Sequence, residues 1–317
     1  MTNNVSMSTK LHKKIEKLLR ENSIVFLKRG IYELRNETDN NNRLSKEGAK
    51  FSYIFLQTSL ELACKAYLVK NNKIQSILKK RKSDEDTLSD VEIEKRLNHN
   101  QLNFIKFENI KPLIKGIMDE DRIGLIEEFQ SMRNKIIHFD MDFSEGDLLD
   151  INYDCIYFIV HVLLPILNED TDEFFIPTPS DKYKDILSKS EFFGLINLPL
   201  YIERMYLEAK KESTNVYRCP MCWRKSFGVQ EGRCYCCGFW NEEQLGYTDC
   251  FNCSAKNSVA YDLLNLEFNN NYILKTICLN CEENCSVYVC ENCEQAYAFE
   301  IQDNSQCTPE KCIVFDE

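Results

Sequence analysis

Twelve cysteines in the last third of this chain fall into six pairs: Cys219/Cys222, Cys234/Cys237, Cys250/Cys253, Cys278/Cys281, Cys290/Cys293 and Cys307/Cys312. Two residues separate the partners in the first five pairs, and four do so in the last. A two-residue spacing lets a tight turn aim both sulfurs at one point, and two such turns complete a tetrahedral S4 cage of the kind that holds structural zinc. The regular pairing suits zinc better than an iron–sulfur cluster. Four thiolates close the coordination sphere and leave no position for water, so the role implied is structural. No histidine follows His161, which removes the usual ligand of a catalytic zinc from this region.

The first two pairs, Cys219/Cys222 and Cys234/Cys237, lie 11 residues apart with aromatics and Gly238 around them. This pattern, CPxC…CxxCG, resembles a zinc ribbon, a small β-hairpin module. Pairing in the remainder has two solutions. In sequence order, Cys250/Cys253/Cys278/Cys281 form a second site and Cys290/Cys293/Cys307/Cys312 a third. An interleaved arrangement instead joins Cys278/Cys281 to Cys290/Cys293 and Cys250/Cys253 to Cys307/Cys312. Two to three structural Zn2+ ions per chain are expected. Cys236 and Cys285 are left over, although either could replace a neighbour.

A second constellation lies at Arg133, Asn134 and His138. The segment DEDRIGLIEEFQSMRNKIIHFD has helical periodicity, with Leu125, Phe129, Met132 and Ile136 on one face. Ile126 and Ile137 widen that stripe, and Arg133 falls inside it. A guanidinium among apolar positions requires a partner or a purpose. Asn134 and His138 are four residues apart and share the neighbouring face, so a cation, an amide and an imidazole gather at one helix end. The structural alternative pairs Arg133 with a buried carboxylate such as Glu61 and leaves His138 to cap the helix. Glu61 and Lys65 are themselves at ion-pair spacing. His12, His99 and His161 have no motif around them and read as core or surface residues.

These residues need helices to position them, and residues 1–212 read as helical, with few glycines or prolines and apolar residues at three- and four-residue spacing. Helices are expected over about 10–34, 46–70, 103–118, 119–138, 147–168 and 189–211, the one over 147–168 being central because it is apolar on nearly all sides. A polar stretch near 36–45 and a charged one near 79–90 read as loops. The fold class is mainly α: a helical bundle followed by small β zinc-ribbon modules. The boundaries are a helical domain over 1–170, a helical connector over 171–213, a zinc ribbon over 214–241 and a cysteine-rich zinc-binding domain over 242–317.

R133-N134-K-I-I-H138, at the end of the penultimate long helix of such a domain, resembles the R-x(4–6)-H signature of HEPN domains. The segment Glu61-Leu-Ala-Cys-Lys65-Ala-Tyr-Leu looks like that family's second helix, and the resemblance covers about residues 10–168. It implies a bundle that dimerises and sets two Arg–His motifs into one cleft. It also implies a metal-independent endoribonuclease of the kind found in prokaryotic toxin and antiphage defence systems. Arg133, Asn134 and His138 would be catalytic: His138 as general base or proton relay, Arg133 stabilising phosphoryl charge, and Asn134 orienting a phosphate oxygen or the imidazole. Some members of the family are instead non-catalytic binding modules, so the alternative is an interaction protein that dimerises through its helices and binds a partner through its ribbons.

Composition bounds the partners. The net charge of −11 argues against coating nucleic acid through bulk charge. Residues 213–240, however, hold four basic residues (Arg218, Arg224, Lys225, Arg233) against one acidic, whereas 241–317 hold three basic and 14 acidic. If either region touches RNA, the first ribbon is expected to do so, with Tyr217, Trp223, Phe227 and Tyr235 as stacking faces. The acidic tail suits a protein partner. The polar N-terminus has no secretory h-region, and no run approaches ~18 apolar residues, so a cytoplasmic chain without a membrane span is expected. Cysteines arranged in pairs on a long leaderless chain fit a reducing compartment. Cys64 and Cys155, outside the cysteine region, sit in apolar helical patterns and read as core.

Overall fold

The computed structural model describes residues 2–36, 44–81, 87–138, 144–168, 178–241, 245–263, 273–290 and 295–299. The chain divides into two compact units, one formed by 1–171 with 183–188 and the other by 172–182 with 189–317.

The first unit is helical. α1 (Thr2–Asn36) and α2 (Lys46–Lys70) make the most extensive helix pair. Small residues let them approach. Ser23 Oγ donates to the Ser59 carbonyl at 2.8 Å and shares a 3.0 Å contact with Ser59 Oγ. A Cβ added at Gly30 would come within 2.9 Å of Leu56 Cδ2. Ser45 caps α2 by accepting from the Gly48 N–H, with Glu47 in the first turn and Lys70 in the last, as the helix dipole favours. α3 (Ile74–Ile77), α4 (Asp90–Asn98) and α5 (Phe107–Ile114) follow. α4 lies just past the charged stretch expected as a loop. Its start signal is Ser89, whose hydroxyl accepts from the Glu92 N–H, but its charged composition hides the apolar periodicity. The helix expected over 103–118 is shorter, because Phe104 forms a bridge with Leu78 and Lys106 is extended.

α6 (Glu120–His138) and α7 (Glu145–Phe158) complete the frame around the arginine motif. Ser144 and Asp147 form a capping box at the start of α7. Phe129 of α6 is stacked between Tyr53 of α2 (centroids 4.7 Å apart) and Phe158 of α7 (3.9 Å), a layer that ties three helices together. α7 continues through a π-turn, Ile159–Leu163, into α8 (Leu164–Leu167). In the π-turn the Leu164 N–H reaches back to the Ile159 carbonyl, and the next residue, Pro165, has no N–H to offer the ladder. The stretch Gly146–Leu167 is long and apolar enough to cross a membrane, which the sequence reading did not anticipate. Of its most apolar window 67% is buried inside the protein, as in the central helix of a bundle. Cys64 and Cys155 are fully buried, and burial pushes the Cys64 thiol up to about 12.

The second unit begins with α9 (Pro179–Lys182), α10 (Lys189–Ile196) and α11 (Pro199–Glu212). The single helix expected over 189–211 is thus two, broken at Asn197-Leu198. Pro199 forces its predecessor out of the helical region, and Leu198 sits at φ −66°, ψ 123°. These helices are grouped with the cysteine region rather than standing apart as a connector: α11 packs on β2, and Tyr201 Oη donates to the Cys236 carbonyl at 3.1 Å. Three antiparallel sheets follow. β1 (Val216–Arg218), β2 (Lys225–Gly228) and β3 (Arg233–Cys234) form the first. β4 (Leu245–Thr248) and β5 (Val259–Asp262) form the second. β6 (Ile273–Ile277), β7 (Asn284–Val289) and β8 (Ala296–Phe299) form the third.

Candidate metal centres and the arginine motif

Among the described residues, the cysteine pairs begin at or just past the end of a strand. In four of them the first cysteine donates its N–H to the carbonyl five residues on: Cys219 to Arg224, Cys234 to Phe239, Cys250 to Ala255 and Cys278 to Glu283, at 2.7–3.1 Å. Its own carbonyl accepts from the N–H four residues on, at Trp223, Gly238, Ser254 and Glu282. Closing so tight a loop puts those four residues in the left-handed region, with φ of 63°, 72°, 56° and 65°. Only Gly238 adopts it without steric cost.

The turns meet in two groups. Cys219, Cys222, Cys234 and Cys237 form one, all buried, and Cys250, Cys253, Cys278 and Cys281 form the other, with the sulfurs of each group within 4.8 Å of one another. Cys219–Cys237 and Cys222–Cys234 are 3.8 and 3.7 Å apart, and Cys250–Cys281 and Cys253–Cys278 are both 3.8 Å apart. Four sulfurs about 2.3 Å from a central ion at tetrahedral angles lie about 3.8 Å apart, so both groups fit a four-coordinate thiolate site for zinc or another thiophilic metal. The second group follows sequence order. Its four members are mutually used, so the interleaved arrangement does not form.

Polar groups around both sites direct hydrogen bonds at the sulfurs. The Met221 N–H points at Cys219 Sγ (3.3 Å), and the N–H groups of Asn280 and Cys281 both point at Cys278 Sγ (3.4 Å). Buried serines sit at matching places: Ser226 Oγ is 3.3 Å from Cys234 Sγ, and Ser258 Oγ is 3.3 Å from Cys278 Sγ. Asn280 Nδ2 reaches Cys253 Sγ at 3.5 Å. Hydrogen bonds from Cys219 and then Cys234 hold the Cys222 thiol well below its ordinary range. Burial pushes Cys253 up, but hydrogen bonds from Asn280, the Ala255 backbone, Cys281 and Cys250 together outweigh it and bring the thiol down to about 7. A bound dication deprotonates such ligands outright. The serines carry no sequence signal, whereas Asn280 lies inside its own cysteine pair.

The two leftover cysteines belong to neither group. Cys236 is buried and donates to the Ile196 carbonyl, and Cys285 is buried on β7 opposite Thr276. Cys290 is buried at the end of β7. Cys293, Cys307 and Cys312, expected as ligands of a third site, lie outside the described residues.

The basic residues of the first ribbon have partners within the unit. Arg224 donates twice to Asn197 Oδ1 (3.1 and 2.7 Å), and Arg218 Nε donates to Glu282 (2.7 Å). Arg233 lies over the Tyr235 ring and Lys225 over Tyr206. Of the four aromatics considered as stacking faces, Tyr217, Phe227 and Tyr235 are buried in the module. Only Trp223 reaches the surface.

In the helical unit, the buried positions of α6 are Ile123, Ile126, Phe129 and Ile136, with Leu125 and Met132 half-buried. The apolar face is therefore turned toward Arg133 relative to the stripe expected, and Arg133 lies seven residues from Ile126, four from Phe129 and three from Ile136. Arg133 is half-buried, and its Nε is buried with no hydrogen-bond partner among the described residues. No carboxylate among them lies within 4.0 Å of it. Glu61, the candidate partner, is taken by Lys65, at 2.5 Å. Arg133 Nη1 donates to Asn134 Oδ1 (2.9 Å), so the amide oxygen holds the guanidinium. His138 is the last residue of α6, and its side chain lies outside the described residues. Of the other histidines, His12 lies 3.6 Å from Asp90, His99 caps α4 and His161 stacks on Tyr157.

Comparison of the chain with protein-family models, with curated proteins and with solved structures found no match.

Proposed function

We propose that the helical unit is a metal-independent endoribonuclease of HEPN type, acting as a homodimer in a cytoplasmic toxin or antiphage system, and that both cysteine groups hold structural zinc. One observation carries the nuclease reading: Arg133 is embedded in the buried face of α6, aimed by Asn134, and no acidic partner among the described residues neutralises it. A structural arginine aimed into the core is commonly matched by a carboxylate. A positive charge held without one suits an anionic ligand.

In this mechanism the ribose 2′-oxygen attacks the adjacent phosphorus while its proton passes to His138. The P–O5′ bond breaks, and the 5′-oxygen takes up a proton as it leaves. The Arg133 guanidinium stabilises the charge on the non-bridging oxygens. The products are a 2′,3′-cyclic phosphate and a 5′-hydroxyl, and DNA, which lacks the 2′-hydroxyl, is resistant. The test is cleavage of RNA by the full chain in EDTA, with end-group analysis. Cyclic phosphate ends that vanish in His138→Ala support the reading, and equal activity in His138→Ala ends it. Light scattering at micromolar concentration tests the dimer.

A second reading has its own support. The four basic side chains of the first ribbon are engaged inside the unit, which suits ribbons that bind a protein partner rather than RNA. On that reading the whole chain is an interaction protein and the EDTA assay shows no cleavage.

A further inference from the structure

α1 carries an apolar stripe that the rest of the helical unit leaves in water. Leu18, Val25 and Tyr32 recur at seven-residue spacing and are 40%, 64% and 54% exposed. Seven residues make about two helical turns, so the three lie on one face, away from the buried Leu19, Leu27 and Leu34. Phe51 and Ile54 of α2 are exposed on the same hairpin. An aromatic row joins them to the stripe. Phe55 stacks on Phe51 (6.4 Å) and on Phe26 of α1 (6.3 Å), and the Arg29 guanidinium lies over both Tyr32 (4.8 Å) and Phe55 (5.7 Å). Together the five exposed side chains leave on the order of 400 Å² of apolar surface in water. One side of a standard interface buries about 800 Å², of which about 450 Å² is apolar. The patch is therefore the size that one partner of a stable dimer needs.

The residues around Val25 say what covers it. Leu18 and Tyr32 stand seven residues either side. Glu21 and Lys28 stand four before and three after, on one flank of the stripe, and Asn22 and Arg29 stand three before and four after, on the other. A two-fold axis beside Val25 sets two copies of α1 antiparallel and brings residues of the same flank together. Glu21 then meets the partner's Lys28, and Asn22 meets the partner's Arg29, each twice. Leu18 meets the partner's Tyr32, and the two Val25 side chains meet at the axis. Such self-complementarity is what an isologous contact requires. Glu21 is free to make this exchange, because its 3.8 Å pair with Lys17 is an exposed one and holds little energy. Farther out the same operation faces Lys14 with the partner's Arg35, so like charges end the contact there. Nucleic acid suits the face less well: Leu18, Val25 and Ile54 offer bases no stacking surface, and Glu21 lies among them.

We propose that this face of α1, with Phe51 and Ile54 of α2 beside it, is where a second copy of the chain docks, antiparallel about Val25. The inference rests on the homodimer in the reading above, for which it names the surface, and not on the cleavage chemistry.

The experiment is sedimentation equilibrium on the full chain. Wild type should dimerise at micromolar concentration. Val25→Asp should raise the dimer dissociation constant by about 10²-fold, through two like charges set together at the axis. Its far-UV circular dichroism should be unchanged, because Val25 is exposed. Glu21→Lys and Lys28→Glu should each weaken self-association by about 10-fold. An equimolar mixture of those two variants should pair with nearly wild-type affinity, since every altered charge then meets its opposite. A monomeric wild type overturns the proposal. So does a dimer unmoved by Val25→Asp, which would use another face and leave the homodimer of the nuclease reading standing. Weakening in both charge variants without pairing in the mixture overturns the antiparallel register. A single-stranded oligoribonucleotide that binds monomeric wild type and not Val25→Asp would make the face a nucleic-acid surface and overturn the docking. RNA cleavage in EDTA is read on the same preparations: a dimer that follows these rules yet cleaves nothing ends the nuclease reading alone.

Discussion

Replacing Arg133 by alanine separates a catalytic arginine from a structural one. Breaking a buried ion pair costs about 3–5 kcal/mol, because the surviving charge is left uncompensated. Arg133 has no carboxylate within 4.0 Å among the described residues, so that penalty should not arise. The truncation removes two methylenes, half-buried on the face of α6 that carries Phe129 and Ile136. At about 0.8 kcal/mol per buried CH₂, this costs about 1 kcal/mol. It also removes a buried Nε with no partner, which returns about 1–3 kcal/mol of desolvation penalty. The two effects nearly cancel, and the variant should unfold within about 1 kcal/mol of wild type. Cleavage should nevertheless fall by about 10²–10³-fold, as for loss of one preorganised charge donor. The assay pairs urea unfolding, followed by far-UV circular dichroism, with RNA cleavage in EDTA on the same preparations. Destabilisation of about 3–5 kcal/mol would show that Arg133 has a structural anionic partner, and unchanged cleavage would remove it from the reaction.

Three further outcomes are expected. Phe129→Ala removes the ring stacked between Tyr53 and Phe158 and should cost about 3–5 kcal/mol in chemical unfolding, since α2, α6 and α7 meet there. A strong chelator should melt the sheets of the cysteine region while the helices of residues 1–168 remain, read as loss of β signal and of bound metal with retained helicity. The Asp147 carboxyl is held below its ordinary range by hydrogen bonds from the Ser144 side chain and backbone. Its folded pKa is therefore below its unfolded one, so its contribution is present above about pH 4. That contribution is lost as pH falls through the folded pKa, and Asp147→Asn should flatten the acid limb of Tm against pH.

Much of this organisation was legible from spacing. The C-x-x-C pairs announced the turns that carry the sulfurs of both four-cysteine groups, because a two-residue gap is a local property of the turn and needs no distant information. The bounds of α2 were readable for the same reason: Ser45 and Glu47 mark its start within a few residues. Tertiary structure decided what depends on distant partners. The choice between sequential and interleaved cysteine sites rests on which strands meet: the β4–β5 hairpin carries Cys250 and Cys253, and the Val259–Cys278 bridge with the Leu279 N–H to Ser258 carbonyl bond brings Cys278 and Cys281 beside them. The break of the last helix follows from Pro199, but the packing of α10 and α11 within the cysteine unit depends on Tyr201 finding the Cys236 carbonyl. The status of Arg133 was likewise undecidable from sequence. A guanidinium in an apolar stripe can be paired or unpaired, and only the fold shows that Lys65 occupies Glu61 and that the buried face of α6 turns toward Arg133. Ligand sets begin in local geometry, whereas the charge balance of a buried residue is set by whatever the rest of the chain places beside it.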